Sequence, residues 1–167
     1  VIKTDVKGLQ KAMYKLSRHI DKAIPDGYVV VGIHADADAP TGDADISTGD
    51  AGINNATLGA TLHFGSRDGH IPARPWLDVG VNESSELYID TIADGIESGT
   101  ASMTVLNQVG VLAVGSVQSY MTNLSDPPNA PSTIAAKGSA NPLIDTGELR
   151  QSVTYTITKT KPKEGLI

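Results

Sequence analysis

Asp36, Asp38, Asp43, Asp45 and Asp50 lie in "DADAPTGDADISTGDAG", a run with no cation. Closely spaced carboxylates of this kind are what a hard ion such as calcium requires. The spacing does not fit an EF-hand loop: counted from Asp36, the fifth position is Pro40 and the glycine falls at the seventh. The segment 36–52 therefore reads as a solvated acidic loop. The four histidines, His19, His34, His63 and His70, show no HExxH or equivalent ligand spacing. His63 and His70 stand near Asp68 and Asp78, so a small metal-dependent hydrolase is the competing chemical reading. Two histidines in a Gly/Pro-rich loop are more often surface or interface residues. Ser66 and Ser139 lie in no nucleophile elbow, and no glycine loop would cradle a phosphate. The expectation is a protein with no catalytic residues, no metal and no cofactor.

The elements that would carry these residues follow from periodicity. Lys3 to Ala23 reads as an amphipathic helix with Leu9, Ala12, Met13, Leu16, Ile20 and Ala23 on one face. Lys7, Lys11, Lys15, Arg18 and Lys22 share the opposite face. After the turn signal Pro25-Asp26-Gly27, "YVVVGIHA" is a β-branched strand. Beyond the acidic loop, "INNATLGATLHFG" is a short helix with an asparagine as cap and Gly65 as its stop. "SRDGHIPARPWLDVG" reads as a loop. Val81 to Ser98 reads as one long helix, with Tyr88, Ile89, Ile92 and Ile96 on one side and Glu83, Glu86, Asp90, Asp94 and Glu97 on the other. Ala101 to Asn123 is a third helix, apolar almost all round, which implies burial between elements or between subunits. A Pro/Gly-rich connector over 124–147 leads to "SVTYTITKTK", an alternating strand whose lysines discourage further pairing. The predicted fold class is α+β: a small antiparallel sheet packed with several helices, and a long irregular connector before a C-terminal strand. A length of 167 residues predicts one domain over 1–167.

Composition narrows the partners. A net charge of −6 argues against a general nucleic-acid binder, which needs a basic footprint. Without cysteine there are no disulfides or thiolate sites. The N-terminus runs straight into Lys3, Asp5 and Lys7, so no secretory signal is expected, and polar breaks between Ser98 and Ser125 favour a buried helix over a membrane span. The opposed basic and acidic stripes are either separate solvated faces or surfaces that meet, within a subunit or between neighbours. Trp76 is expected to anchor its loop to the core, while Arg67 and Arg74 beside it are the better interface candidates.

"LGATLHFGSRDGHIPARPWLD" (58–78) and "PPNAPSTIAAKGSANPLIDTGELRQSVTYTI" (127–157) together resemble, in the same order, two segments of the tail-completion and virion-morphogenesis proteins of tailed bacteriophages. His63-Phe64 stands where the family often has Glu-Phe, and the 36–52 loop is unusually acidic. The resemblance implies a non-enzymatic subunit of a homo-oligomeric ring at the head-tail joint of the virion, assembled in the host cytoplasm. Its implied partners are further copies of itself, the head-completion or connector proteins, and the tail terminator or tail tube. A tail-terminator subunit is the nearest alternative. The genome would pass close by without specific binding, and acid from the 36–50 loop or the 83–97 stripe facing the lumen would keep DNA from sticking. No membrane is involved.

On that resemblance the connector is a docking segment. Prolines stiffen it and lower the entropy lost on docking. Pro128, Ile134, Leu143 and Ile144 are its expected interface residues, and Gly65 and Gly147 are expected structural positions. In "DTGEL", Asp145 or Thr146 would accept from the first amides of a helix starting near Glu148.

Overall fold

The computed structural model describes residues 27–33 and 54–162. The expected helix over 3–23 and the acidic loop over 36–52 lie outside the described residues. The architecture is α+β. β1 (Tyr28–Gly32) pairs antiparallel with β2 (Thr154–Thr158) in the register Tyr28↔Thr158 to Gly32↔Thr154. Among the described residues, six helices lie between them in the chain: α1 (Asn55–Phe64), α2 (Trp76–Asn82), α3 (Ser85–Glu97), α4 (Ser102–Asn123), α5 (Pro131–Lys137) and α6 (Glu148–Gln151).

α1 has the predicted ends. The Asn54 side chain accepts from the Thr57 amide at 2.7 Å, and Gly65 terminates the helix at φ 78°. A Cβ at Gly65 would come within 2.7 Å of the Ile71 carbonyl oxygen and 2.8 Å of the Ala73 nitrogen, so glycine is needed for space as well as for conformation.

Three expectations fail between Trp76 and Ser98. Trp76 to Gly80 is helical, because the chain after Pro75 can start a helix as soon as Trp76 and Leu77 find a core to enter. The long helix expected from Val81 is broken at Glu83 and Ser84, where Ser84 hydrogen-bonds Ser116 across to α4 at 2.8 Å. Ile89, expected on the buried side of α3, is 65% exposed.

α4 is the axis of the fold. α2 and α3 pack along it, and the sheet lies against it. Close approach is obtained with glycines: Gly80 of α2 faces the Val117 backbone, Gly95 of α3 faces Val105, and Gly110 of α4 faces the Tyr155 ring. Val117 and Met121 are fully buried, and Trp76, Leu77, Leu143, Leu149 and Val153 complete the cluster around them. Within the subunit α4 is not buried on every side: Met103 and Val111 are 54% and 61% exposed, which leaves of the two expected forms of burial only the one between subunits for that face.

Candidate assembly surface

The connector is held from two directions. The first hold is Arg74. The loop after Gly65 folds back on itself, with the Ser66 amide donating to the Ile71 carbonyl and the Ile71 amide to the Ser66 hydroxyl. The Arg74 amide then donates to the Leu62 carbonyl at 2.9 Å. This turns the Arg74 side chain inward, where it is 3% exposed. Its Nε donates to the Pro127 carbonyl at 2.9 Å and an Nη to the Pro128 carbonyl at 3.2 Å. Burial lowers its pKa from the ordinary arginine value. The expected interface role of Arg74 is thus corrected. A planar fork of donors suits an irregular proline segment whose carbonyls have no ladder to join, and that match draws the arginine inside.

The second hold is Asn141, which sequence reading missed. Its side-chain amide donates to the Thr122 carbonyl at 2.8 Å and the Met121 carbonyl at 3.4 Å, at the end of α4. Its Oδ1 accepts from the amides of Leu143 and Ile144 at 2.9 and 3.0 Å. Its own carbonyl accepts from Asn129 and Lys137. The one available signal was an asparagine before Pro142, a combination that favours turns.

Leu143, expected at an interface, is 4% exposed and belongs to the core, because Asn141 turns the chain so that this side chain meets Met121 and Trp76. Ile134 and Ile144 are half-buried and Pro128 is exposed. The connector also contains a helix, α5, which starts on Pro131 and stops at Gly138 in the left-handed conformation. Gly147 is buried at φ 88°, and the Glu148 amide is met by Thr146 rather than Asp145. Between α1, the 70–74 loop and the connector lies a cavity of about 490 Å3 with Leu58, Leu62, Leu143 and Leu149 in its walls.

The histidines form two separate pairs. His63 is buried against Trp76, with Nε2 3.4 Å from the Asp78 carboxylate, and its Nδ1 is without a partner among the described residues. His70 lies on the surface, 3.2 Å from Asp68. Hydrogen bonds from Ser66 and the His70 amide lower the Asp68 pKa below the ordinary carboxylate value. Among the described residues, no group of three or more His, Asp or Glu is placed to share a metal ion.

Trp76 lies in the core at 3% exposure, its indole N–H donating to the Gly59 carbonyl at 3.0 Å. Arg67, Glu83, Glu86, Asp90 and Asp94 are exposed. Lys7, Lys11, Lys15 and Arg18 lie outside the described residues. Glu83 belongs to the break after α2, so the acidic face of α3 itself is Glu86, Asp90, Asp94 and Glu97. None of these is in a salt bridge among the described residues. Among those residues, no helix is long and apolar enough to cross a membrane. No protein-family model, curated protein or solved structure matches this chain.

Proposed function

We propose that this chain is a non-enzymatic structural subunit of a tailed-bacteriophage neck. In this reading it is a tail-completion protein, whose ring joins the head connector to the tail tube or its terminator. It works in the virion after assembly in the host cytoplasm, with no cofactor and no membrane. The observation that carries the reading is the contact between Arg74 and the carbonyls of Pro127 and Pro128. The two stretches with the family resemblance are remote in sequence, and this contact locks them together. Trp76 from the first stretch and Leu143, Leu149 and Val153 from the second also share one core.

Such a joint must contact neighbours of unlike geometry above, below and beside it. A braced irregular segment can follow those surfaces where a straight helix cannot. Holding the connector on Arg74 and Asn141 before docking reduces the ordering cost of assembly.

The test is to remove the chain from a producing phage and inspect the particles by electron microscopy. The expected result is filled heads and finished tails that fail to join, with joining restored by adding purified protein. Joined, infectious particles made without the chain would overturn the reading. Tails of uncontrolled length would indicate a terminator instead.

A further inference from the structure

The outer side of α3 and α4 carries a surface with no use inside the described residues. A groove of about 740 Å3 runs between the helices, lined by Thr91, Asp94, Thr104, Gln108 and Val111 among others. Val111 is largely exposed, and Leu87, one turn before Thr91, is 48% exposed. Along one rim stand Glu86, Asp90, Asp94 and Glu97, all exposed. Like charges one turn apart on a helix repel, so α3 alone bears a cost that a basic partner would relieve.

We infer that this face docks a second copy of the chain through the neighbour's basic run Lys7, Lys11, Lys15, Arg18 and Lys22. Three observations select that occupant. The spacing of three and four residues in the basic run matches the spacing of the acids on α3. Read as a helix, residues 3–23 carry their basic side chains opposite their apolar ones, so a subunit that covers the apolar stripe presents the basic stripe outward. The long lysine stems would lie over Leu87 and Val111 while their charges meet the rim.

Position 27 sits on the sheet side of α4, where a Cβ would lie 3.1 Å from Leu106 and 3.5 Å from Ile157, and Gln108, in the groove, is about 160° round the helix from Leu106. The chain's own basic run would have to cross from one side to the other to fill the groove, and the variants below separate it from a neighbour's.

The two surfaces differ, so the contact is head-to-tail and closes into a ring where the rotation permits. The inference deepens the neck reading by naming the ring's contact and rests on it for the ring. Its test is the mass in solution, whereas the neck reading is tested on joined particles, so each can fail alone.

Glu86→Lys/Asp90→Lys/Asp94→Lys and Lys7→Glu/Lys11→Glu/Lys15→Glu are made in the full chain, and folding of each is checked by circular dichroism. Wild type is expected to exceed the 17.4 kDa monomer at low salt and to fall toward it in about 1 M salt, where charges are screened beyond about 3 Å. Each variant alone is expected to be monomeric, and the two mixed one to one to associate again. Wild type that is monomeric throughout, or reversal variants that keep the wild-type mass, would overturn the inference. So would two folded variants that stay monomeric when mixed. A monomer destabilised by either reversal and restored by all six together would assign the acids to the chain's own basic run, which also overturns it.

Discussion

Arg74 shows how a single side chain can set the course of a segment more than fifty positions away, since its bonds to the Pro127 and Pro128 carbonyls reach 53 and 54 residues along the chain. Removing it leaves the half-buried Pro127 carbonyl and the Pro128 carbonyl without these donors and opens a gap where the buried guanidinium lay. Arg74→Ala is therefore expected to cost about 2–4 kcal/mol and to lower the melting temperature by roughly 5–15 °C. Arg74→Lys should recover only part of this, because one ammonium cannot reproduce the fork. Asn141 is equally specific. Asn141→Asp would turn a carboxylate oxygen toward the Met121 and Thr122 carbonyls in place of a donor, and a loss of about 2 kcal/mol or more is expected in urea unfolding. Asp68 supplies a pH dependence. Its pKa is lower in the fold than unfolded, so its stabilisation of the 66–71 turn is complete above the ordinary value of 3.8 and is lost as pH falls through the lowered one. The His70 amide shift followed by NMR should thus show a step below pH 3.8, and Asp68→Asn should abolish that step.

At the scale of elements, the position of α4 depends on glycines as much as on large side chains. Gly110→Ala would drive a methyl group into the Tyr155 ring and push β2 off the helix. The intrinsic gain in helix propensity, up to about 1 kcal/mol, is expected to be outweighed by overpacking of about 1–3 kcal/mol. Thermal unfolding of Gly110→Ala beside Gly115→Ala gives the comparison, since a Cβ at Gly115 meets nothing within 4 Å and should be neutral or stabilising. The break between α2 and α3 has the same origin in α4. The hydroxyl of Ser116 bonds both the Gly80 carbonyl and Ser84, so the side of α4 fixes where one helix ends and the next begins.

Across the molecule, the connector and the core are one structure. Met121 is fully buried, its carbonyl accepts from Asn141, and its side chain shares a cluster with Leu143, Leu149 and Val153. Met121→Ala is expected to cost about 2–5 kcal/mol. Because both parts share this cluster, amide hydrogen exchange in residues 141–149 should speed up by the same factor as in α4. Acceleration confined to α4 would mean that the connector is held independently. A connector ordered through the core would arrive at a partner already shaped, which is what the proposed assembly role requires.

Local chemistry was legible in the sequence. The two strands, the Asn54 cap, the Gly65 stop and the extent of α4 follow from patterns within a few residues, as does the α+β class. These depend on backbone propensity and on periodicity, which need no distant partner. The acids of α3 were also visible as a stripe, because exposed charge repeats at the helical spacing. The burial of Arg74 and Leu143, the helix at Trp76, the break at Ser84 and the central role of Asn141 were not legible. Each is decided by a contact across about twenty residues or more: the Pro127 and Pro128 carbonyls that Arg74 reaches, a core that Trp76 and Leu143 share with Val117 and Met121 of α4, the α4 carbonyls that Asn141 meets, and a hydroxyl on α4 at the end of a helix it does not belong to. Local sequence set the elements, and tertiary packing chose which of their polar residues would be spent inside.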